Sequence, residues 1–292
     1  MPAETAQTVR STELPGAEFI FGSTVGMREI REKVERALRD DLPVLIEGEY
    51  GTGKEVIGRY LHSCSVRREG PFLRLNCAAA PTSLLEEEIY GYEKAASANT
   101  RETASGSIGL ASGGTLFFDE IGDLDLTLQQ KLTETLGSGH YQHLNGSRNL
   151  AVNSRFVCAS SIDVETKFQS NSFLERLVKF FGHHHLRLLP LRERKEDIPQ
   201  LCEYLLGKFA RTFGRPVPRI SSNALEAFQQ WKWPGNIREL ENWIARIVIF
   251  GAEEVIGLQF SRQLLAWEEP VPGSHHGSRL KIGRARRLRR HR

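Results

Sequence analysis

The chain is 292 residues long, with 40% apolar and 26% charged residues, enough to bury one sizeable core and a smaller one in an ordinary soluble globular protein. No apolar run reaches bilayer length, and the N-terminus, MPAETAQTVRSTELPG, lacks the apolar centre of a signal peptide, so a cytoplasmic protein without membrane contact is expected. The net charge is +3, but eight Lys or Arg and no acid fall in residues 273–292, and setting those eight aside leaves −5 for the rest. The run from Arg279 to Arg292 could grip nucleic-acid phosphates weakly and without sequence preference, or be a solvated disordered tail. Cys64, Cys77, Cys158 and Cys202 are scattered without close pairs, which suits reduced core thiols better than disulfides or a zinc site.

In chain order, residues 1–20 read as an unstructured lead-in. A helix follows from Val25, with Met27, Ile30, Val34, Ala37 and Leu38 at three-to-four spacing. Pro43 to Ile57, PVLIEGEYGTGKEVI, then reads as a short buried strand over Val44 to Ile46, a loop with glycines at 48, 51 and 53, and a helix opened by Lys54. Glycines let successive N–H groups turn inward on a phosphate, the helix N-terminus adds positive potential, and Lys54 can reach terminal phosphates, so a nucleoside triphosphate site is expected. Glu55 stands where a hydroxyl would ordinarily help hold magnesium.

Further buried strands are expected at Phe72–Leu75, ending at Asn76, at Thr115–Asp119 and at Arg155–Ser160, separated by helical segments as in a parallel sheet covered on both faces. Asp119 and Glu120 close the middle one. Carboxylates at that end of an open α/β sheet lie where nucleotides bind; one can hold magnesium through water and its neighbour can orient an attacking water. Beyond Pro190 the pattern turns helical over Asp197–Phe213, about Asn223–Trp231, and again after Trp233-Pro-Gly-Asn236. Asn236 with Glu239 predicts a capping box, and Arg238 in that first turn runs against the helix dipole, which points to a partner anion. His183 to His185 cannot converge on one ion from a strand and are read as incidental.

Taken together, Gly48 to Glu55, Phe72 to Ala79, Gly113 to Leu124, Pro190 to Arg194 with Glu196 to Ile198, and Trp233 to Leu240 resemble the AAA+ ATPase domain of sigma-54-dependent transcription activators, in order from about Phe21 to Leu265. The resemblance implies a P-loop α/β domain over 21–190 and a helical lid over 191–265, while residues 266–292 read as a basic disordered tail where the family differs. It implies ATP and magnesium as ligands: Gly48, Glu49, Gly51, Thr52, Gly53, Lys54 and Glu55 at the nucleotide, Asp119 at the metal and Glu120 as the group that activates water. Asn76 resembles the residue that switches that glutamate, Ser160 stands at the sensing strand's end, and Arg238 is similar to the lid's sensor arginine. Ring oligomers, commonly hexamers, and contact with the sigma-54 factor of RNA polymerase are implied as well.

Departures accompany these matches. The segment Ala95 to Thr100 follows Ile89 to Lys94 where the family presents its GAFTGA loop to sigma-54, and it lacks both the aromatic and the threonine. Alignment back from Pro190 puts Leu174 and Phe180 at the two intersubunit arginines, with Arg176 and Lys179 nearby. No helix-turn-helix pattern follows Leu265. A regulatory subunit that binds nucleotide without turning it over, and the product of a decayed activator gene, are the competing readings.

Overall fold

The computed structural model describes residues 6–8, 14–93, 104–161, 175–182, 184–250 and 255–257. It opens with a strand, Ala6–Thr8 (β1), and a short helix, Ala17–Phe21 (α1). The lead-in was expected to lack structure; instead Ile20 and Phe21 are buried in the main core, which holds α1 in place. Next come Val25–Ala37 (α2), Val44–Glu47 (β2), Lys54–Ser63 (α3), Phe72–Asn76 (β3) and Thr82–Tyr90 (α4). A two-residue strand, Gly91–Tyr92 (β4), pairs antiparallel with Ala104–Ser105 (β5), and Ser107–Leu110 (α5) leads to Thr115–Asp119 (β6). Leu126–Ser138 (α6), the short pair His140–Tyr141 (β7) and Leu150–Ala151 (β8), Arg155–Ser160 (β9), Glu175–Phe181 (α7) and His185–Arg187 (β10) complete this part.

The main sheet runs β1-β3-β6-β9-β2-β10, with β1 antiparallel on its edge and the other five strands parallel. Because side chains alternate along a strand, Leu116 and Phe118 of β6 enter one apolar cluster with Phe156 and Cys158, while Phe117 enters the other with Val157 and Ala159. Burial on both faces explains why these strands read as unbroken apolar runs. Each fully buried Leu or Phe contributes roughly 1.5–3 kcal/mol relative to exposure.

A third cluster begins at Leu191 and is built by Ile198–Phe213 (α8), Ser222–Gln230 (α9) and Asn236–Phe250 (α10). The ends of α8 are legible in its sequence, with Pro199 in the first turn and Gly214 in the left-handed conformation returning its N–H to Ala210. Ser221 caps α9 by accepting from the Ala224 N–H. Trp233, Trp243 and Phe228 are the cluster's largest fully buried side chains, and Arg219–Ile220 (β11) and Val255–Ile256 (β12) form a two-residue parallel pair.

The Pro190 to Ile198 segment joins the two parts. Asp197 is buried and accepts from the Ser23 and Thr24 N–H groups at the start of α2. Arg194 is also buried, and loss of water lowers its pKa to about 10 despite the Asp197 carboxylate. Cys77, Cys158 and Cys202 are buried thiols as expected, whereas Cys64 is exposed. Among the described residues no helix is long and apolar enough to cross a membrane.

Candidate functional site

Strand β2 delivers the glycine loop to the C-terminal edge of the sheet, between β9 and β10. The loop must reverse tightly into α3, and Gly51 and Gly53 do so with φ of 78° and 100°. Thr52 is buried and its hydroxyl donates to the Glu49 carbonyl, bracing the turn. Lys54 is 6% exposed; its Nζ donates to the Gly48 carbonyl at 2.9 Å and lies 3.7 Å from Glu120 Oε1. Burial lowers the Lys54 pKa, against the opposing pull of Glu120 and Asp119.

Asp119 ends β6 and Glu120 follows it with φ 56°, a left-handed conformation uncommon outside glycine. That turn aims Glu120 across the strand ends toward Ser161, whose N–H and hydroxyl both donate to Glu120 Oε2, at 2.8 and 2.7 Å. Arg74 donates to Asp119 Oδ2 and its Nε lies 3.5 Å from Glu55 Oε2. Desolvation works against the Arg74 charge, but Asp119 and Glu55 outweigh it and raise its pKa.

Thr52, Lys54, Asn76, Asp119, Glu120 and Arg238 line one cleft of about 730 Å³. Gly48, Glu49 and Ser160 of the expected set are not among its lining residues. Ser160 is buried and its carbonyl accepts from the Gly48 N–H, while the serine that faces the cleft is Ser161, just past the end of β9. Asn76 Oδ1 accepts from the Ala78 N–H, whereas Glu120 is held by Ser161. Glu49 turns away to the lid, where Arg192 grips it with two hydrogen bonds of 2.8 and 2.6 Å, and this arginine, ahead of a smaller burial cost, lowers the Glu49 pKa.

Further bonds bind the loop to α10. Gly51 O accepts from the Ile237 and Arg238 N–H groups, so the helix N-terminus is engaged by the loop backbone. The capping box is therefore half right. Glu239 does reach back, to the Gly235 N–H at 2.7 Å, but Asn236 is buried with φ 54° and its amide bonds Leu191 N–H, Tyr50 O and Glu49. Arg238 lies over the Tyr50 ring, its guanidinium carbon 5.6 Å from the centroid.

Magnesium fits this donor set. Among the described residues no group of three or more His, Cys, Asp or Glu gathers as a metal cage, and Asp119 faces the cleft as a hard carboxylate beside the glycine loop. Magnesium is typically held that way, by one or two carboxylates with phosphate oxygens and water. His184 and His185, read as incidental, bond Asp40 and Glu47 separately. Of the expected intersubunit positions, Leu174 and the Arg176 side chain lie outside the described residues, as do Ala95 to Thr100; Phe180 is half-buried beside Gly137 of α6.

Comparison with known proteins decides the family. Residues 20–186 match the sigma-54 interaction domain, and residues 192–269 match the AAA+ ATPase lid domain. The chain belongs to the sigma-54 interaction domain family. It is 40% identical over 238 residues to a Nif-specific regulatory protein of Azotobacter vinelandii, covering 82% of this chain and 45% of the relative. It is 38% identical over 252 residues to the DNA-binding transcriptional regulator NtrC of Azospirillum brasilense, covering 86% and 52%. This sigma-54 interaction domain chain thus spans about half the length of those relatives. Among solved structures, NtrX of Brucella abortus in complex with ATP is similar at a TM-score of 0.74 and 27% identity, over 86% of this chain and 56% of that one.

Proposed function

We propose that the chain is the ATP-binding AAA+ module of a sigma-54-dependent transcriptional regulator, with a nucleotide domain over 21–190 and a lid over 191–265. The observation that carries this reading is the convergence of Lys54, Asp119 and Glu120 on one cleft at the mouth of the glycine loop. Loop amides and Lys54 bind the phosphates, with Lys54 supplying a fixed positive charge that burial keeps from being screened. Asp119 would hold magnesium, which when bound neutralises phosphate charge. Glu120 orients water for attack, and Ser161 fixes the carboxylate through one oxygen, leaving the other toward the cleft. Arg238 brings a second cation from the lid.

Support for ATP as the ligand comes from NtrX, crystallised in complex with ATP, and for the transcriptional role from the Nif-specific and NtrC relatives. Self-assembly into a ring extends that reading, and so does contact with sigma-54 through a loop, Ala95 to Thr100, that lacks the family's aromatic and threonine. Titration calorimetry of ATP with magnesium, run beside sedimentation analysis, tests it; absence of binding would overturn it. A second reading, a nucleotide-binding subunit with little turnover of its own, is favoured by apolar Leu174 and Phe180 at the expected arginine positions.

A further inference from the structure

Arg74 stands two residues before Asn76 on β3, so both side chains leave the strand on one face and enter the cleft. In the parallel register Asn76 lies opposite Asp119, which puts the long Arg74 side chain within reach of that carboxylate. Its guanidinium meets carboxylates from two elements: Nη2 donates to Asp119 Oδ2 at the end of β6, and Nε lies 3.5 Å from Glu55 Oε2 in the first turn of α3. Arg74 Nε is buried without a hydrogen bond, with Glu55 just beyond bonding distance. The guanidinium is thus bonded to one acid and stands beside a second acceptor that it can take up with a small movement.

A divalent cation and a guanidinium on Asp119 compete for the same carboxylate. We propose that Arg74 gates the divalent-cation position. It neutralises Asp119 until a cation arrives with nucleotide, then passes its hydrogen bonds to Glu55. The acid after Lys54 therefore serves to receive Arg74, where a hydroxyl would have served the metal itself. This gate rests on the nucleotide reading of the cleft given above.

The test is calorimetric titration of ATP into wild type, R74M and R74K, each in EDTA and in excess magnesium, with manganese(II) binding followed by electron paramagnetic resonance as a direct measure of the cation. Removing the competitor raises the factor by which magnesium tightens ATP binding about tenfold in R74M, and lowers the manganese half-saturation point by a similar factor. R74K, whose single ammonium cannot span both acids, shows a smaller rise and serves if R74M does not fold. E55Q, which removes the receiving charge, shifts both readouts the other way. An unchanged factor overturns the gate, and so does a decrease in R74M, which would mark Arg74 as merely orienting Asp119. If wild type binds no ATP in either buffer, the nucleotide reading fails and the gate with it; if ATP binds and the factor does not move, the gate alone fails.

Discussion

At the scale of single residues, the site depends on a few charges whose positions are fixed by backbone rather than by side-chain freedom. Lys54→Ala removes the buried ammonium at the loop, and on the proposed reading ATP affinity should fall at least a hundredfold, since a hydrogen bond to a charged group is worth roughly 1.5–3 kcal/mol and this cation would reach more than one phosphate oxygen. Calorimetry that returns equal affinity for variant and wild type would place the nucleotide elsewhere. Ser161→Ala makes a different demand. The Glu120 carboxylate keeps the Ser161 N–H and loses the hydroxyl, so ATP affinity should hold within about twofold while hydrolysis slows by roughly tenfold or more. Single-turnover rates measured with the dissociation constant separate the two. Ser161 was missed because the strand expected there ends at Ser160, one residue short of the serine that holds Glu120.

At the scale of elements, the glycine loop is fastened to the lid by Arg192 on Glu49, Asn236 on Tyr50 O and the α10 amides on Gly51 O. A Cβ on Gly51 would stand 2.2 Å from Gly235 O, and φ there is 78°, so Gly51→Ala should free α10 from the loop and weaken ATP binding. Because the Glu49 pKa is lowered in the folded protein, its pairing with Arg192 is complete at neutral pH and is lost as the pH falls through the depressed value. Arg192→Ala should therefore lower the lid's stability at neutral pH, by about 1 kcal/mol or less for so exposed a pair, and the gap from wild type should close in acid. All four tryptophans lie between Trp231 and Trp267, so fluorescence during urea unfolding reports on this region; a gap that persists unchanged at low pH would contradict the assignment. Strands β2, β3, β6 and β9 were legible because burial on both faces leaves apolar runs. Strand β10 was not, since His185-Leu-Arg187 has one apolar residue and is held by pairing with β2. Asn236 misled for a related reason: a cap-forming residue type was present, but its amide was taken up by a loop far away in sequence.

At the scale of the whole molecule, turnover should depend on what neighbouring copies supply. An arginine finger accelerates phosphoryl transfer by roughly 10³ to 10⁵, and neither Leu174 nor Phe180 offers one. Wild type should bind ATP tightly and hydrolyse it slowly, and the double change Leu174→Arg with Phe180→Arg should raise the rate at matched oligomer concentration. Brisk wild-type hydrolysis that neither this change nor Arg176→Ala alters would sink the idea. The sheet order has a separate consequence, for the time course of synthesis. Val44 pairs with Val157 and Leu45 with His185, so the strand that carries the glycine loop is early in the chain while both its neighbours come late. A ribosome must deliver nearly the whole sheet before β2 has a partner on either side, and contacts this distant in sequence close slowly. Until then β2 is an apolar segment with two open edges, and the growing chain is at its most prone to associate with others of its kind.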